Sequence, residues 1–129
     1  KNLQQPFGIG PFNNLHAALH QRGQMACFLA RGRANSALHA ALYLVADAHR
    51  AAVLLTGIHP EYKASCAIYA LFLEAIRWCG VRGLSLDLEG SMQPEIEHTF
   101  RAMGARQQPY FRDSNAGNRF FETAYHFLR

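Results

Sequence analysis

The sequence lacks any apolar run of the roughly 20 residues that a membrane helix requires, because charged or small polar residues interrupt every candidate, including the longest, residues 34–45. We therefore expect no membrane span. Charge is scarce too, at 17% of the 129 residues, whereas 50% are hydrophobic. This balance excludes a disordered chain and predicts one domain over residues 1–129 with a core of its own. Because the chain begins with Lys1 and shows no secretion signal, we interpret it as excised from a longer protein.

Cysteine is rare, and the three present, Cys27, Cys66 and Cys79, are spaced unlike a zinc site. A chain this apolar needs no disulfides, so we expect reduced thiols and a cytoplasmic location. Cys27 and Cys79 lie in apolar contexts and are predicted to be small core residues. Cys66 falls near a predicted helix start, without a legible His and Asn/Asp partner set for a nucleophile.

Acidic residues are nearly missing from the first half of the chain. Residues 1–60 contain five Lys or Arg against Asp47 alone, and the remainder contains eight of each sign. Eleven of the 13 cations are Arg, which favours forked contacts with carboxylate or phosphate. No cluster of four or more cations occurs, so an RNA-contacting module is only a minor alternative. Among the seven histidines, His16 and His20 form an i,i+4 pair without an acidic third ligand, and we predict no metal site.

Apolar periodicity predicts an α+β fold. The predicted elements are a helix over residues 13–21, strands over 24–33, 36–46 and 51–56 with a hairpin turn at 46–50, a helix over 65–79, a strand over 83–88, a helix from 93–95 onward, a strand over 105–112 and a helix over 119–128. Residues 36–46 would equally suit a helix, and the short run after them decides for a strand. Three antiparallel strands followed by a parallel strand, reached through a helix, give one mixed sheet flanked by helices.

The long helix carries one apolar stripe and is expected to pack on the sheet. The stripe consists of Ile68, Leu71, Phe72, Ala75, Ile76 and Cys79. Ligands in such sheets prefer strand ends where loops diverge, which here indicates residues 57–65 and 87–94.

These loops carry a resemblance to a known family. The segments Gly57-Ile58-His59-Pro60-Glu61-Tyr62-Lys63-Ala64-Ser65, Asp87-Leu88-Glu89-Gly90-Ser91 and Phe100-Arg101-Ala102-Met103-Gly104-Ala105, with Pro109-Tyr110 after them, are similar to GNAT acyltransferases over residues 24–112. The branch resembled includes Fem-type aminoacyltransferases and related bacterial acetyltransferase-like proteins, of which this chain would be the C-terminal lobe. The resemblance implies transfer of an acyl group from acetyl-CoA or another acyl-CoA, or of an aminoacyl group from tRNA, to a small-molecule or peptide amine.

The resemblance also implies a donor site at the start of the helix over residues 65–79, where free N–H groups would cradle phosphates. Its residues would be Ile58, His59, Tyr62, Lys63, Ala64, Ser65, Cys66 and Ala67. The family pattern Gln/Arg-x-x-Gly-x-Gly/Ala aligns with residues 62–67, which puts Ser65 in the place of the central glycine. Its Cβ would restrict the approach of pyrophosphate.

Amine acylation needs a base and an acid. Asp87 and Glu89 are the candidate bases, since strand alternation puts them on one face, with Tyr110 as the candidate acid. The alternative is that Asp87 caps the loop backbone while Glu89 is solvated. The candidate acceptor-binding residues are Arg33, His39, Tyr43 and Ser91. The alternatives are that Ser91 is a helix N-cap without a role in binding and that Tyr110 is a half-buried strand residue.

A rival hypothesis is a catalytically inactive lobe that keeps the fold for binding or for dimerisation. A homodimer, or pairing with an N-terminal lobe preceding this chain, would suit either hypothesis.

Overall fold

A computed structural model describes residues 8–89 and 94–109. In chain order these residues form α1 (Ile9–Gln21), β1 (Met25–Arg31), β2 (Leu38–Ala46), β3 (Arg50–Ile58), a 3-10 helix (Pro60–Ser65), α2 (Ala67–Val81), β4 (Ser85–Asp87) and α3 (Pro94–Ala102). The predicted α+β class is confirmed.

The four strands form one mixed sheet in the order β1-β2-β3-β4. The first two pairings are antiparallel, and β4 lies parallel to β3 after the crossover through α2. The β2–β3 hairpin is closed by Asp47, whose carboxylate accepts hydrogen bonds from the backbone N–H groups of His49 at 2.8 Å and Arg50 at 2.9 Å. The prediction that residues 36–46 are a strand followed by a tight turn is therefore correct.

The core lies between α2 and one face of the sheet. Leu42 and Leu44 of β2 have no exposed surface, and Phe72 and Cys79 of α2 pack in the same buried cluster. Ile76 was expected in the α2 stripe but is 38% exposed. It lies about 100° further round the helix than Ala75, which turns its side chain toward solvent.

Helix α1 lies on part of the opposite face, against Tyr43, and contributes no buried residue. Cys27 lies on this face and is exposed, so its predicted place in the core is wrong. Its neighbours Ala26 and Phe28 are partly buried against the core instead. Both alternating sets of β1 are apolar, so periodicity alone does not say which set faces the core.

Several element boundaries differ from the predictions. Helix α1 begins at Ile9, four residues early, because Pro11 falls in the first turn, where a helix needs no backbone N–H. Helix α2 begins at Ala67, because residues 60–65 form the 3-10 helix instead. Helix α3 begins at Pro94, as predicted. Residues 105–109 form no strand, in keeping with a proline at 109 that cannot donate to a ladder, and residues 110–112 and the predicted helix over 119–128 lie outside the described residues.

Candidate functional site

The pairing between β3 and β4 ends early and leaves one edge of β3 open. Strand β4 pairs only with Arg50, Ala51 and Ala52, whereas β3 continues to Ile58 along β2. From Val53 onward, no strand within residues 8–89 and 94–109 covers this edge. Its N–H and C=O groups are therefore available to a ligand.

A β-bulge lies where the edge opens. Tyr43 of β2 pairs with Leu55 of β3, and the next residue, Leu44, pairs with Val53, so Leu54 is the extra residue. A bulge takes the local backbone out of the regular ladder and re-aims it. The bulge thus marks the start of the open edge.

The candidate bases lie at this same level of the sheet. Asp87 pairs with Ala52 at the last position of β4, and its carboxylate accepts a hydrogen bond from the Glu89 N–H at 3.0 Å. Both residues are exposed, and Glu89 has a left-handed backbone with φ of 56°. Leu86 and Leu88 pack toward the core, which puts Asp87 on the face opposite α2. The backbone-capping role considered for Asp87 is present.

The candidate donor loop lies at the other end of the open edge, six residues beyond Ala52 or about 20 Å along the strand. The Ser65 hydroxyl donates to the Tyr62 carbonyl at 2.7 Å, and His59 Nδ1 accepts the Glu61 N–H at 3.4 Å. Helix α2 has no side-chain cap at its N-terminus.

The loop contains one left-handed residue, Cys66, with φ of 53°. Glycine is the residue that this conformation favours. Sequence alignment puts Ser65 at the central glycine of the family pattern, and the left-handed residue is its neighbour, Cys66. Shifting the alignment by one residue would move Lys63 to the Gln/Arg position and Ser65 and Ala67 to variable positions, with Ile68 where the pattern has Gly or Ala.

Beside this loop the rings of His39, His59 and Tyr62 lie together with the Asn35 amide, and we call these four side chains the ring cluster. The His39 and Tyr62 rings are stacked, 4.0 Å apart and 12° from parallel, and His59 lies 5.2 Å from Tyr62. Asn35 Nδ2 donates to the Tyr62 hydroxyl at 3.4 Å, and the His59 N–H donates to the His39 carbonyl at 2.9 Å. The structure thereby joins a predicted acceptor residue, His39, to two predicted donor residues.

Gly32 makes this cluster possible. A Cβ added there would lie 2.6 Å from Asn35 Oδ1 and 2.8 Å from His39 Nε2, closer than real Cβ contacts allow. Arg33, another predicted acceptor residue, is exposed in the same β1–β2 connection.

Tyr43 lies on the same face as His39, at the opposite end of β2. It is 7% exposed, and its hydroxyl is 3.0 Å from His16 Nδ1 of α1. Burial, with a smaller contribution from Cys27, raises the pKa of the Tyr43 phenol, which therefore stays protonated at neutral pH. Sequence analysis missed this role of His16, although the i,i+4 spacing of Phe12, His16 and His20 on one helix face signals it.

Ser91 and Tyr110 lie outside the described residues. Ile58 ends β3 and is 42% exposed, whereas Ala64 belongs to the 3-10 helix.

A groove of about 380 Å³ lies elsewhere, between β1 and the C-terminal half of α2. It is lined by Phe28, Glu74, Arg77, Trp78, Val81 and Arg82. The Arg82 guanidinium lies 4.1 Å above the Trp78 ring, and Arg77 pairs with Glu74 at 2.9 Å. None of the predicted site residues lines it, and the open edge of β3 is the better candidate for chemistry.

Within residues 8–89 and 94–109, no group of three or more His, Cys, Asp or Glu side chains is placed to hold a metal ion. No helix in the same ranges is long and apolar enough to cross a membrane.

Comparison with known proteins identifies a family-level match. The sequence profile described as "Acetyltransferase (GNAT) domain" matches residues 2–112. No curated protein has a significantly similar sequence.

Solved structures of acetyltransferases share the fold. The aminoglycoside antibiotic 6′-N-acetyltransferase AAC(6′)-Ih of Acinetobacter baumannii superposes with a TM-score of 0.61 at 15% identity, covering 84% of this chain and 83% of that one. The corresponding AAC(6′)-IG enzyme of Acinetobacter haemolyticus gives 0.63 at 13% identity, with coverages of 85% and 84%. An acetyltransferase of Trypanosoma brucei gives 0.60 at 13% identity, with coverages of 86% and 82%.

Proposed function

The chain belongs to the GNAT acetyltransferase domain family, and from this premise we propose that it transfers an acetyl group from acetyl-CoA to an amine. The observation that carries the proposal is the open edge of β3, which runs from Asp87 to the loop before α2. An extended thioester arm would lie along this edge, with the reacting carbonyl at the Asp87 end and the phosphates at the loop.

The donor residues suit an anionic group. The uncapped N-terminus of α2 presents backbone N–H groups and the positive end of the helix dipole. Lys63 adds a positive charge next to it, and the left-handed backbone at Cys66 turns the chain sharply into the helix. Ser65 and Cys66 both carry a Cβ, so the restriction on the approach of pyrophosphate remains whichever of the two takes the glycine position.

Each step of the transfer has a candidate group. The amine nitrogen attacks the thioester carbonyl, the C–S bond breaks, and the ammonium proton passes to Asp87 or Glu89. A backbone N–H at the bulge in β3 would stabilise the developing oxyanion. Tyr110 is the proposed acid for the leaving thiolate.

Narrower identities remain predictions. The aminoglycosides named for two of the similar structures are polycations, and the Fem-type branch would use aminoacyl-tRNA as donor and carry a second lobe. No described feature favours the tRNA donor over acetyl-CoA. A homodimer and a cytoplasmic location are likewise proposals.

Thermal shift with acetyl-CoA tests the donor site. A ligand that binds only the folded state at 100 times its Kd adds about 2.7 kcal/mol of stability, so we expect a clear rise in Tm. Lys63→Glu should abolish the rise, whereas Arg82→Glu, at the C-terminal end of α2, should keep it. An unchanged Tm at millimolar acetyl-CoA would instead support the inactive lobe.

Release of free CoA thiol in the presence of mixed amines tests the chemistry. Asp87→Asn and Glu89→Gln should show which carboxylate is the base. The variant that lacks the base should lose turnover and keep the acetyl-CoA Tm shift, whereas the other variant should keep both. Turnover that survives in both variants would contradict a carboxylate base.

A further inference from the structure

The face of the sheet opposite α2 contains a shallow surface that we call the acceptor trough. Its floor is a row of three cross-strand partners: Leu29 pairs with Ala41, and Ala41 pairs with Gly57. Leu29 is 51% exposed, and the other two carry almost no side chain. The floor is therefore apolar and low, and it is open to solvent.

Two groups of rings border the trough. Tyr43 with His16 stands two residues from Ala41 in one direction along β2, and His39 with Tyr62 stands two residues away in the other. Four residues of strand separate the two borders by about 14 Å. This width would hold an extended peptide segment lying between them.

The charge around the trough is positive. Residues 1–46 contain no Asp or Glu, whereas Arg31 and Arg33 follow Leu29 at the end of β1. Neither arginine forms an ion pair with a carboxylate in the described ranges, although Arg31 Nη1 donates to the Ser36 carbonyl at 3.0 Å. The 3-10 helix, whose Tyr62 stacks on His39 at this end of the face, carries one charge of each sign, Glu61 and Lys63. A polycation gains nothing from these arginines, whereas a carboxylate gains a forked partner.

The distance between the arginines and the proposed base sets the length of the acceptor. Asp87 pairs with Ala52, Ala52 with Val45, and Val45 with Met25, so Asp87 and Met25 lie in one row across the sheet. Arg31 lies six residues beyond Met25 along β1. This separation is about 20 Å along the strands alone, more than a free amino acid spans. An extended peptide covers it with about six residues.

We propose that the acceptor trough binds an extended peptide with its amine at Asp87 and an acidic residue, about six positions later, at Arg31 and Arg33. The proposal rests on the proposed acetyl transfer and specifies its acceptor as a carboxylate-bearing peptide amine. Arg31 and Arg33 are then specificity residues for the reaction, distinct from the residues that carry it out.

A charge-swap experiment on the full chain tests the proposal. Three amidated heptapeptides with a free N-terminus, identical except for Glu, Gln or Lys at the last position, are compared as acceptors at saturating acetyl-CoA. We expect kcat/KM for the Glu peptide to exceed that for the Lys peptide about tenfold, through KM. Arg33→Glu should reverse this order, whereas Arg82→Glu, on the opposite side of the sheet, should leave it unchanged. Equal rates for the three peptides, or a preference for Lys or for an aminoglycoside, would overturn the proposal.

The alkylation rates of two exposed cysteines measure binding at the acceptor trough and at the donor site without any turnover. Cys27 is next to Leu29 on the face of β1 that forms the trough, and Cys66 starts α2, while the buried Cys79 serves as an internal reference. The Glu peptide should slow alkylation of Cys27 by N-ethylmaleimide severalfold more than the Lys peptide does. Acetyl-CoA should slow alkylation of Cys66. If acetyl-CoA leaves the alkylation rate of Cys66 unchanged, the proposed function is overturned. If the Glu peptide leaves the alkylation rate of Cys27 unchanged, the peptide acceptor is overturned.

Discussion

The two faces of the sheet are built from the same strands, but one is buried against a helix and the other is largely exposed. On the α2 face, Leu42 and Leu44 are fully buried against a helix whose apolar stripe matches them. On the other face, α1 buries none of its residues, and Leu29 stays half exposed. Alternate residues of a single strand, β2, serve both faces.

This difference separates stability from recognition. Burial of apolar surface on the α2 face supplies most of the folding free energy, because that contribution scales with the area removed from water. The opposite face has rings and small residues held by hydrogen bonds, with the cationic side chains left in solvent. Substitutions on the first face should change stability, and those on the second should change binding.

The largest effect is expected from Leu42→Ala. This side chain has no exposed surface, so its truncation should leave a cavity and cost about 2–5 kcal/mol of unfolding free energy. Leu29→Ala is the matched control on the opposite face and should stay within about 0.5 kcal/mol. Urea denaturation of both variants measures the difference. Equal losses would mean that both faces carry the core, and the comparison would fail.

The regular elements of the fold followed from local patterns in the sequence. The apolar stripe predicted α2, although Gly80, which was expected to end the helix, lies inside it. The short apolar run after Asp47 correctly decided that residues 36–46 are a strand. These predictions work because a buried face imposes its own periodicity on one short segment.

The geometry of the site depends on register and backbone conformation, which such patterns do not carry. The early end of β4 against β3 arises from pairing between distant segments. The left-handed backbone at Cys66 could not be predicted from the sequence, because no glycine stands there. The stacking of His39 on Tyr62 joins residues 23 positions apart. Sequence analysis therefore named His39, Tyr62 and Asp87 as candidates without their mutual arrangement.

Gly32→Ala should show that the second face can also cost stability where its atoms are tightly packed. The new Cβ would meet Asn35 Oδ1 at 2.6 Å and His39 Nε2 at 2.8 Å, so the ring cluster must shift. We expect a loss of about 1–3 kcal/mol, as for overpacking in general. Gly57→Ala is the control, because its Cβ would meet nothing within 4 Å. If the two variants unfold at the same urea concentration, the ring cluster shifts to admit the new Cβ without any loss of unfolding free energy.

Tyr62→Leu should have a smaller effect. It removes the ring that stacks on His39 at 4.0 Å, and such aromatic pairs contribute about 0.5–1.5 kcal/mol beyond their buried area. Tyr62→Phe keeps the stack and loses only the hydrogen bond from Asn35, so it should stay close to the parent protein. Thermal denaturation of the pair, with acetyl-CoA titrations beside it, shows whether the stack also supports the donor loop. Equal losses for Phe and Leu would assign the effect to the hydroxyl, which both variants lack.

The smallest effect concerns the turn that sets the register of both faces. Hydrogen bonds from the backbone N–H of His49, and then of Arg50, lower the pKa of the Asp47 carboxyl from its ordinary value of 3.8. A carboxyl whose pKa is lower when folded contributes stability that is complete above 3.8 and is lost as the pH falls through the folded value. Because the Asp47 side chain is exposed, we expect only a slight decrease in the urea midpoint between pH 6 and pH 3. Asp47→Asn keeps an acceptor that does not titrate and should flatten this decrease, whereas Asp47→Ala should lower the midpoint at both pH values. If the Asn variant loses as much on acidification as the parent protein, the acid sensitivity belongs to other carboxylates and the turn holds its register without this charge.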